Sequence, residues 1–170
     1  MDCSQDTQVS DLYPDGQEKR RRMRTIDMIV IHCTATRADE PLSSSDLTRM
    51  HRKRGFKCCG YHYYIRRDGM ICTMRPVERV GAHAKGHNAT SIGIAYEGGL
   101  DARGNPADTR TEEQKHSMRV LVRVLKSDFP IRKVVGHRDL SPDLDGDGVV
   151  EPEEWTKLCP CFEVGKERFR

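Results

Sequence analysis

Two histidines and one cysteine in this chain have the residue types and positions of a catalytic metal site. His32 follows an apolar run at 26–31 that predicts a buried strand, His137 ends a second predicted strand at 133–137, and Cys159 lies in a proline-containing loop. Sites in α/β proteins are built at strand ends, and three nitrogen or sulfur ligands with an open fourth position suit catalytic zinc. From the residues alone, the alternative is that each histidine is an ordinary hydrogen-bonding residue, as histidines at strand ends more often are, because sequence distance does not show that the three meet in space.

A second metal-binding pattern occupies an acidic segment at 143–154. Acidic residues stand at positions 1, 3 and 5 of a twelve-residue loop, with glycine at 6, an apolar residue at 8 and glutamate at 12, as in calcium-binding loops. The residues predicted to bind calcium are Asp143, Asp145, Asp147 and Glu154 through their side chains and Val149 through its backbone carbonyl. Ser-Pro precedes the loop where a helix normally enters, so an acidic surface turn is the alternative interpretation.

The elements that must position these residues alternate between strands and helices. A helix is predicted at 43–54, with Leu47, Met50 and His51 facing inward, and a longer one begins at a capping box at 111–114 and ends before Pro130. Strands are predicted at 26–31, 61–66, 70–74, 91–96 and 133–137, and a tight turn at 67–69 joins the second and third into a hairpin. This order predicts an α/β fold, a central mixed β-sheet flanked by helices in a single domain.

Length and composition exclude several classes of protein. The chain has 170 residues and a mass of 19.4 kDa, which suits one domain. No apolar run approaches the ~20 residues of a membrane span, and the first 25 residues lack the apolar stretch of a signal peptide. We therefore expect synthesis in the cytoplasm and no membrane insertion. The formal net charge of +3 is too small to imply a nucleic-acid partner.

The N-terminal segment differs in character from the rest of the chain. Residues 1–24 show no hydrophobic periodicity and contain a turn signature at 13–16, so we expect a disordered or loosely attached leader followed by one folded domain at 25–170. The basic run at 19–24 is interpreted as part of a solvated tail. The seven cysteines have no framework spacing, which favours free thiols over disulfides.

Six segments of the sequence, in order along the chain, resemble one enzyme family. Read together they are similar to the zinc-dependent N-acetylmuramoyl-L-alanine amidases, the family that also includes peptidoglycan recognition proteins and small phage amidase-lysozymes. The single-chain phage form, with cysteine as the third metal ligand, is the most similar branch. The segments are IVIHCTAT at 29–36, GYHYYIRRDG at 60–69, VGAHAKGHN at 80–88, SIGI at 91–94, GHRD at 136–139 and KLCPCF at 157–162.

The resemblance implies a role for each residue of the predicted site. His32, His137 and Cys159 would hold zinc, and 25–170 would be an amidase catalytic domain. An activated water would attack the carbonyl that joins muramic acid to L-alanine. Lys157 matches the family's catalytic lysine and would stabilise the oxyanion. Tyr61 matches the catalytic tyrosine and would orient the water or bind the tetrahedral intermediate.

One position departs from part of the family. The family's cytoplasmic recycling enzymes carry a glutamate base where this chain has Ala95, so the resemblance assigns the base role to Tyr61 and the activated water. Glu97 is the alternative base, and Cys161 is the alternative third ligand because it lies two residues past Cys159.

Further residues of the matching segments are candidate contacts to the substrate. His83 lies in a segment that borders the substrate groove in the family, with a plain loop histidine as the alternative. The candidate contacts to sugar, stem peptide or substrate carboxylates are His83, Lys85, Asn88 and Arg66.

The expected function is zinc-dependent hydrolysis of the amide bond between N-acetylmuramic acid and L-alanine in bacterial peptidoglycan. A non-catalytic module that binds peptidoglycan or muropeptides is the alternative. We expect a monomer that acts on the cell wall after release from the cytoplasm, with zinc as cofactor and calcium as a second candidate.

Overall fold

The structure, a computed structural model, describes residues 24–167 and 169. The predicted leader at 1–24 therefore lies outside the described residues except for Arg24. These residues form seven strands and two α-helices, with three 3₁₀ helices at Arg138–Leu140, Pro152–Glu154 and Val164–Lys166. The bounds of the strands and α-helices are β1 Met28–Cys33, β2 Thr36–Arg37, α1 Ser44–Lys53, β3 Tyr63–Ile65, β4 Ile71–Thr73, β5 Ser91–Tyr96, β6 Gly99–Leu100, α2 Glu112–Asp128 and β7 Lys133–Gly136.

A five-stranded mixed sheet is the centre of the fold, as the sequence predicted. Its strand order is β4-β3-β5-β1-β7, with β4 antiparallel and the other four strands parallel. Because β1 is an inner strand that pairs in parallel with both β5 and β7, the carboxyl ends of these strands meet at one edge of the sheet. The predicted hairpin is present as β3 and β4.

Helices cover the two faces of this sheet. Met118 and Val122 of α2 pack with Ile29 and Ile31 of β1 in the main core. Leu47 of α1 packs with Tyr64 in a second cluster. Along β3, Tyr64 alternates with residues that face α2, so this second cluster lies on the opposite face of the sheet.

Local sequence signals explain both helix starts. Thr111 and Gln114 form the predicted capping box, each side chain binding the other's backbone amide across 3.1 Å, and α2 ends just before Pro130. Ser43 caps α1 by accepting from the Asp46 amide. The prediction that Met50 faces inward was wrong: it is 41% exposed, because α1 buries only a narrow stripe formed by Leu47 and His51.

Two other details differ from the predictions. The strand predicted at 61–66 is shorter, because the His62 carbonyl accepts from the amides of both Met74 and Arg75 and interrupts the regular ladder. A small parallel sheet of β2 and β6 was not predicted.

Neither helix in the described residues has the length and apolar character needed to cross a membrane. Cysteines 33, 58, 59, 72, 159 and 161 are free thiols.

Candidate active site and metal centre

The three predicted metal ligands converge at one edge of the sheet. His32 is the penultimate residue of β1, and His137 directly follows the neighbouring strand β7. The His137 amide continues the pairing by donating to the Ile31 carbonyl across 3.1 Å. One ligand atom each from His32, His137 and Cys159 lies within 4.8 Å of the others. The pairing of β1 with β7 therefore brings together two histidines that are far apart in sequence.

Backbone hydrogen bonds fix Cys159 beside these histidines. The Cys33 amide donates to the Cys159 sulfur across 3.2 Å, and the Arg138 amide donates to the Cys159 carbonyl across 2.8 Å. The sulfur lies 3.8 Å from Nδ1 of His32. Cys161 instead points to Cys33, with 3.9 Å between the sulfurs, so the geometry favours Cys159 over Cys161 as the third ligand.

The chemistry of this donor set suits zinc. Burial lowers the pKa of His32 well below its usual value, with a further contribution from the nearby His83 and His137. Burial, followed by the charge of Lys157, also lowers the pKa of His137. Both imidazoles are therefore neutral and keep a lone pair for a metal. Two neutral imidazoles and one sulfur are the ligands that zinc prefers, with one position left open.

Small residues on β5 make room for the histidine rings. Ala95 lies opposite His32 in the register of β1 and β5 and is fully buried. Two residues earlier, a Cβ on Gly93 would lie 2.5 Å from Cγ of the His83 ring. The strand position that carries a glutamate in the recycling branch therefore lies beside the first ligand and holds only a methyl group here.

Tyr61 and Lys157 lie near the three ligands. The Tyr61 ring centroid is 5.0 Å from that of His32, and burial raises the pKa of its phenol, which stays protonated and able to donate. Lys157 is exposed, and its charge acts on both ligand histidines. Tyr61 and Lys157 therefore approach the candidate ligands from two different segments.

The alternative base, Glu97, has a structural role. Its carboxylate is almost fully buried and accepts from the amides of Leu42 (2.8 Å) and Arg67 (3.0 Å). These bonds tie the loop before α1 to the end of β3. Each amide thus binds one carboxylate oxygen, and the role of Glu97 as a base stays a prediction.

The predicted substrate contacts have different surroundings. His83 is buried, and its Nδ1 lies 3.0 Å from Nε2 of His32. The Asn88 side chain accepts from the amides of His83 and Ala84. Lys85 is exposed, and Arg66 lies 3.6 Å from Asp68 in the hairpin turn. Their contacts with substrate stay predictions.

One residue near the site was missed by sequence reasoning. The Arg24 guanidinium donates to the carbonyls of Val77, Ala89 and Ser91 at 2.7–2.9 Å, and its Nη2 lies 3.1 Å from His62. Arg24 thereby anchors the segment that carries His83. The basic run at 19–24 was the only signal, and it does not distinguish this arginine from its neighbours.

The acidic segment folds as a compact loop. Asp143, Asp145 and Glu154 form one group of facing carboxylates, and Asp145, Asp147 and Glu151 form another, with ligand atoms within 4.8 Å in each. Asp143 accepts from the amides of Gly146 and Gly148 at 2.7 and 2.8 Å. Along the chain, the loop follows His137 and ends just before Lys157.

Comparisons with known sequences agree with this arrangement. Residues 22–160 match the family model described as N-acetylmuramoyl-L-alanine amidase. An uncharacterized protein of Haemophilus influenzae is 50% identical over 97 residues, which cover 57% of this chain and 84% of that protein. The endolysin of Klebsiella phage KP32 is 34% identical over 136 residues, which cover 80% of this chain and 81% of the phage protein.

Solved structures are similar as well. The N-acetylmuramoyl-L-alanine amidase LysC from Clostridium intestinale superimposes with a TM-score of 0.61 at 30% identity, covering 81% of this chain and 77% of LysC. Drosophila PGRP-LB gives a TM-score of 0.61 at 23% identity, covering 81% of this chain and 76% of that protein. At this lower identity the second likeness concerns the fold alone.

Proposed function

This chain belongs to the N-acetylmuramoyl-L-alanine amidase family and is a peptidoglycan amidase, and we propose that it works through zinc held by His32, His137 and Cys159. The observation that carries the proposal is the convergence of one ligand atom from each of these residues within 4.8 Å. When bound, zinc supplies a Lewis acid that activates water at neutral pH.

The chain's own residues would complete the reaction. Tyr61, a protonated phenol beside His32, would donate a hydrogen bond to the attacking water or to the developing oxyanion. Lys157 would place its positive charge where the carbonyl oxygen becomes negative. Position 95 is alanine and Glu97 binds two backbone amides, so the base role would rest on Tyr61 and the activated water.

Substrate recognition would involve two cations, the exposed Lys85 and the half-buried Arg66. Lys85 and Arg66 would bind carboxylates of the stem peptide, and Asn88 would contribute through the loop that it stabilises. We propose that the protein acts as a monomer without a nucleic-acid partner. It would be made in the cytoplasm and reach the cell wall after release, which suits its similarity to phage endolysins.

Calcium is proposed as a second ion, in the loop at 143–154. Support comes from the twelve-residue pattern and from the facing carboxylates of Asp143, Asp145 and Glu154, with Asp147 and the Val149 carbonyl completing the predicted set. Because this loop connects His137 to Lys157 and Cys159, an ion there would stiffen the stretch of chain between these site residues.

The test measures the new L-alanine amino groups released from purified peptidoglycan. We expect zinc-loaded protein to release them and His137→Ala and Cys159→Ala to lose both zinc and activity. His116→Ala is the matched control, because His116 is exposed on α2. If zinc-loaded wild-type protein bound muropeptides and released no amino groups, the alternative of a non-catalytic binding module would replace the proposal.

A further inference from the structure

We propose that His83 is a positioning residue that fixes the ring orientation and tautomer of His32, so that His32 presents Nδ1 to the metal. This inference rests on the proposed function, because it assigns His32 as a zinc ligand. It also gives His83 a role other than the predicted substrate contact.

The contact between the two rings is direct and buried. Nδ1 of His83 lies 3.0 Å from Nε2 of His32, and the rings meet edge to face with 5.1 Å between centroids. His32 is 1% exposed and His83 is 9% exposed, so water cannot easily replace either partner. The other nitrogen of His32, Nδ1, lies 3.8 Å from the Cys159 sulfur and is the one available to a metal.

Ser91 sets the direction of this hydrogen bond. Its hydroxyl donates to the His87 carbonyl across 2.7 Å, which uses its only hydrogen. The same oxygen lies 3.4 Å from Nε2 of His83 and can only accept there, a long contact that favours the tautomer with its hydrogen on Nε2. Nδ1 of His83 is then an acceptor, His32 donates from Nε2, and Nδ1 of His32 keeps its lone pair.

The surroundings of His83 hold its ring in one place. A Cβ at Gly81 would lie 2.5 Å from Cδ2 of the His83 ring, and a Cβ at Gly93 would lie 2.5 Å from Cγ. The Asn88 side chain fixes the His83 backbone by accepting from its amide across 2.8 Å. The His83 ring thus occupies the space that a side chain at either glycine would need, and it is closely packed there. A rigid partner of this kind orients a metal ligand.

The occupied ring nitrogens separate this role from substrate binding. Nδ1 faces His32 and Nε2 faces Ser91, so neither nitrogen is free for a sugar or peptide group. His83 therefore acts through His32 and does not touch the reacting atoms.

Two amide substitutions test the hydrogen bond. The oxygen of His83→Asn can occupy the position of Nδ1 and accept from His32, whereas His83→Gln places its amide near the Nε2 position and loses that contact. We expect His83→Gln to bind zinc about 10–100-fold more weakly in a chelator competition, the usual loss for such a partner. His83→Asn should retain most of the wild-type affinity and a wild-type-like visible spectrum with cobalt(II) in place of zinc.

A second set of variants makes the test independent of the folding of His83→Gln. Ser91→Ala should weaken zinc binding in the wild-type background and have no further effect in His83→Asn, because the serine acts through Nε2 of His83. His116→Gln, on the exposed face of α2, is the matched control.

Each of the following results would overturn either the positioning role or the proposed function. Wild-type zinc affinity in His83→Gln, or equal weakening in both His83 variants with the metal-free fold intact, would overturn the positioning role. An equal effect of Ser91→Ala in both backgrounds would also contradict it. Failure of the wild-type protein to bind zinc would instead overturn the proposed function.

Discussion

The ring of Pro160 rests directly on the backbone of Gly136. A Cβ at position 136 would lie 2.7 Å from Cδ of Pro160 and 3.2 Å from an Asp139 carboxylate oxygen, which also accepts from the Gly136 amide. Gly136 ends β7 immediately before His137, and Pro160 directly follows Cys159. This close approach therefore sets the spacing between two of the three candidate ligands.

We expect Gly136→Ala to weaken zinc binding while leaving most of the fold intact. Pushing Pro160 away would move Cys159 relative to His137, and overpacking of this kind costs about 1–3 kcal/mol. Chelator competition measures the loss of zinc affinity. Thermal unfolding of the metal-free protein measures the loss of stability. Gly165→Ala is the control, since a Cβ there meets only a Glu163 oxygen at 3.9 Å. Unchanged zinc affinity in Gly136→Ala would contradict the spacing argument.

Lys157→Met should lower turnover without removing the metal. Loss of one group that stabilises an oxyanion costs about 10²–10³ in kcat, and Lys157 is exposed, so its replacement should not disturb the ligands. Turnover on a soluble muropeptide, measured together with zinc content, tests this. The control is Lys133→Met, at the opposite end of β7 from His137. Near-normal turnover in Lys157→Met would exclude the assigned role.

The metal-free protein should lose stability as the pH falls from 7 towards 4.5. Nδ1 of His51 accepts from the Gly60 amide and Nδ1 of His62 from the Gly93 amide, and burial lowers the pKa of each ring to about 4. In the unfolded chain the pKa returns to about 6.5. The unfolded state then binds more protons over this range, so the free energy of unfolding decreases with decreasing pH.

Urea denaturation at pH 7 and pH 5 with a chelator present measures this decrease. His51→Asn keeps an acceptor for the Gly60 amide but cannot titrate, so its free energy of unfolding should fall less than that of the wild-type protein. Equal decreases in both proteins would show that His51 does not contribute.

Calcium should raise the melting temperature of the zinc-loaded protein. An ion that binds only the folded state stabilises it by an amount that grows with the logarithm of the ion concentration once this exceeds Kd, and the loop at 143–154 supplies facing carboxylates for such an ion. Calorimetry and thermal melting with millimolar calcium test this, with Asp147→Asn and Glu154→Gln expected to reduce both signals. If calcium produced no heat and no shift in melting temperature, the loop would be an acidic surface turn.

The sequence by itself determined the local structure and the family of this protein. Helix α2 follows from a capping box and a proline, which act within a few residues, and β1 follows from an uninterrupted apolar run. The order of six motifs indicated the amidase family, which the comparisons confirm. The same motifs identified His32, His137 and Cys159 as candidate zinc ligands, and the structure brings these residues together.

Only the tertiary structure decided how the site is supported. The hydrogen bond between His32 and His83 joins residues 51 positions apart, and Arg24 contacts carbonyls more than 50 residues away. The close approach of Pro160 to Gly136 and the capture of Glu97 by two amides likewise depend on segments that meet only after folding. No local pattern encodes these contacts, because each depends on strand order and register, which are set by the packing of the whole core.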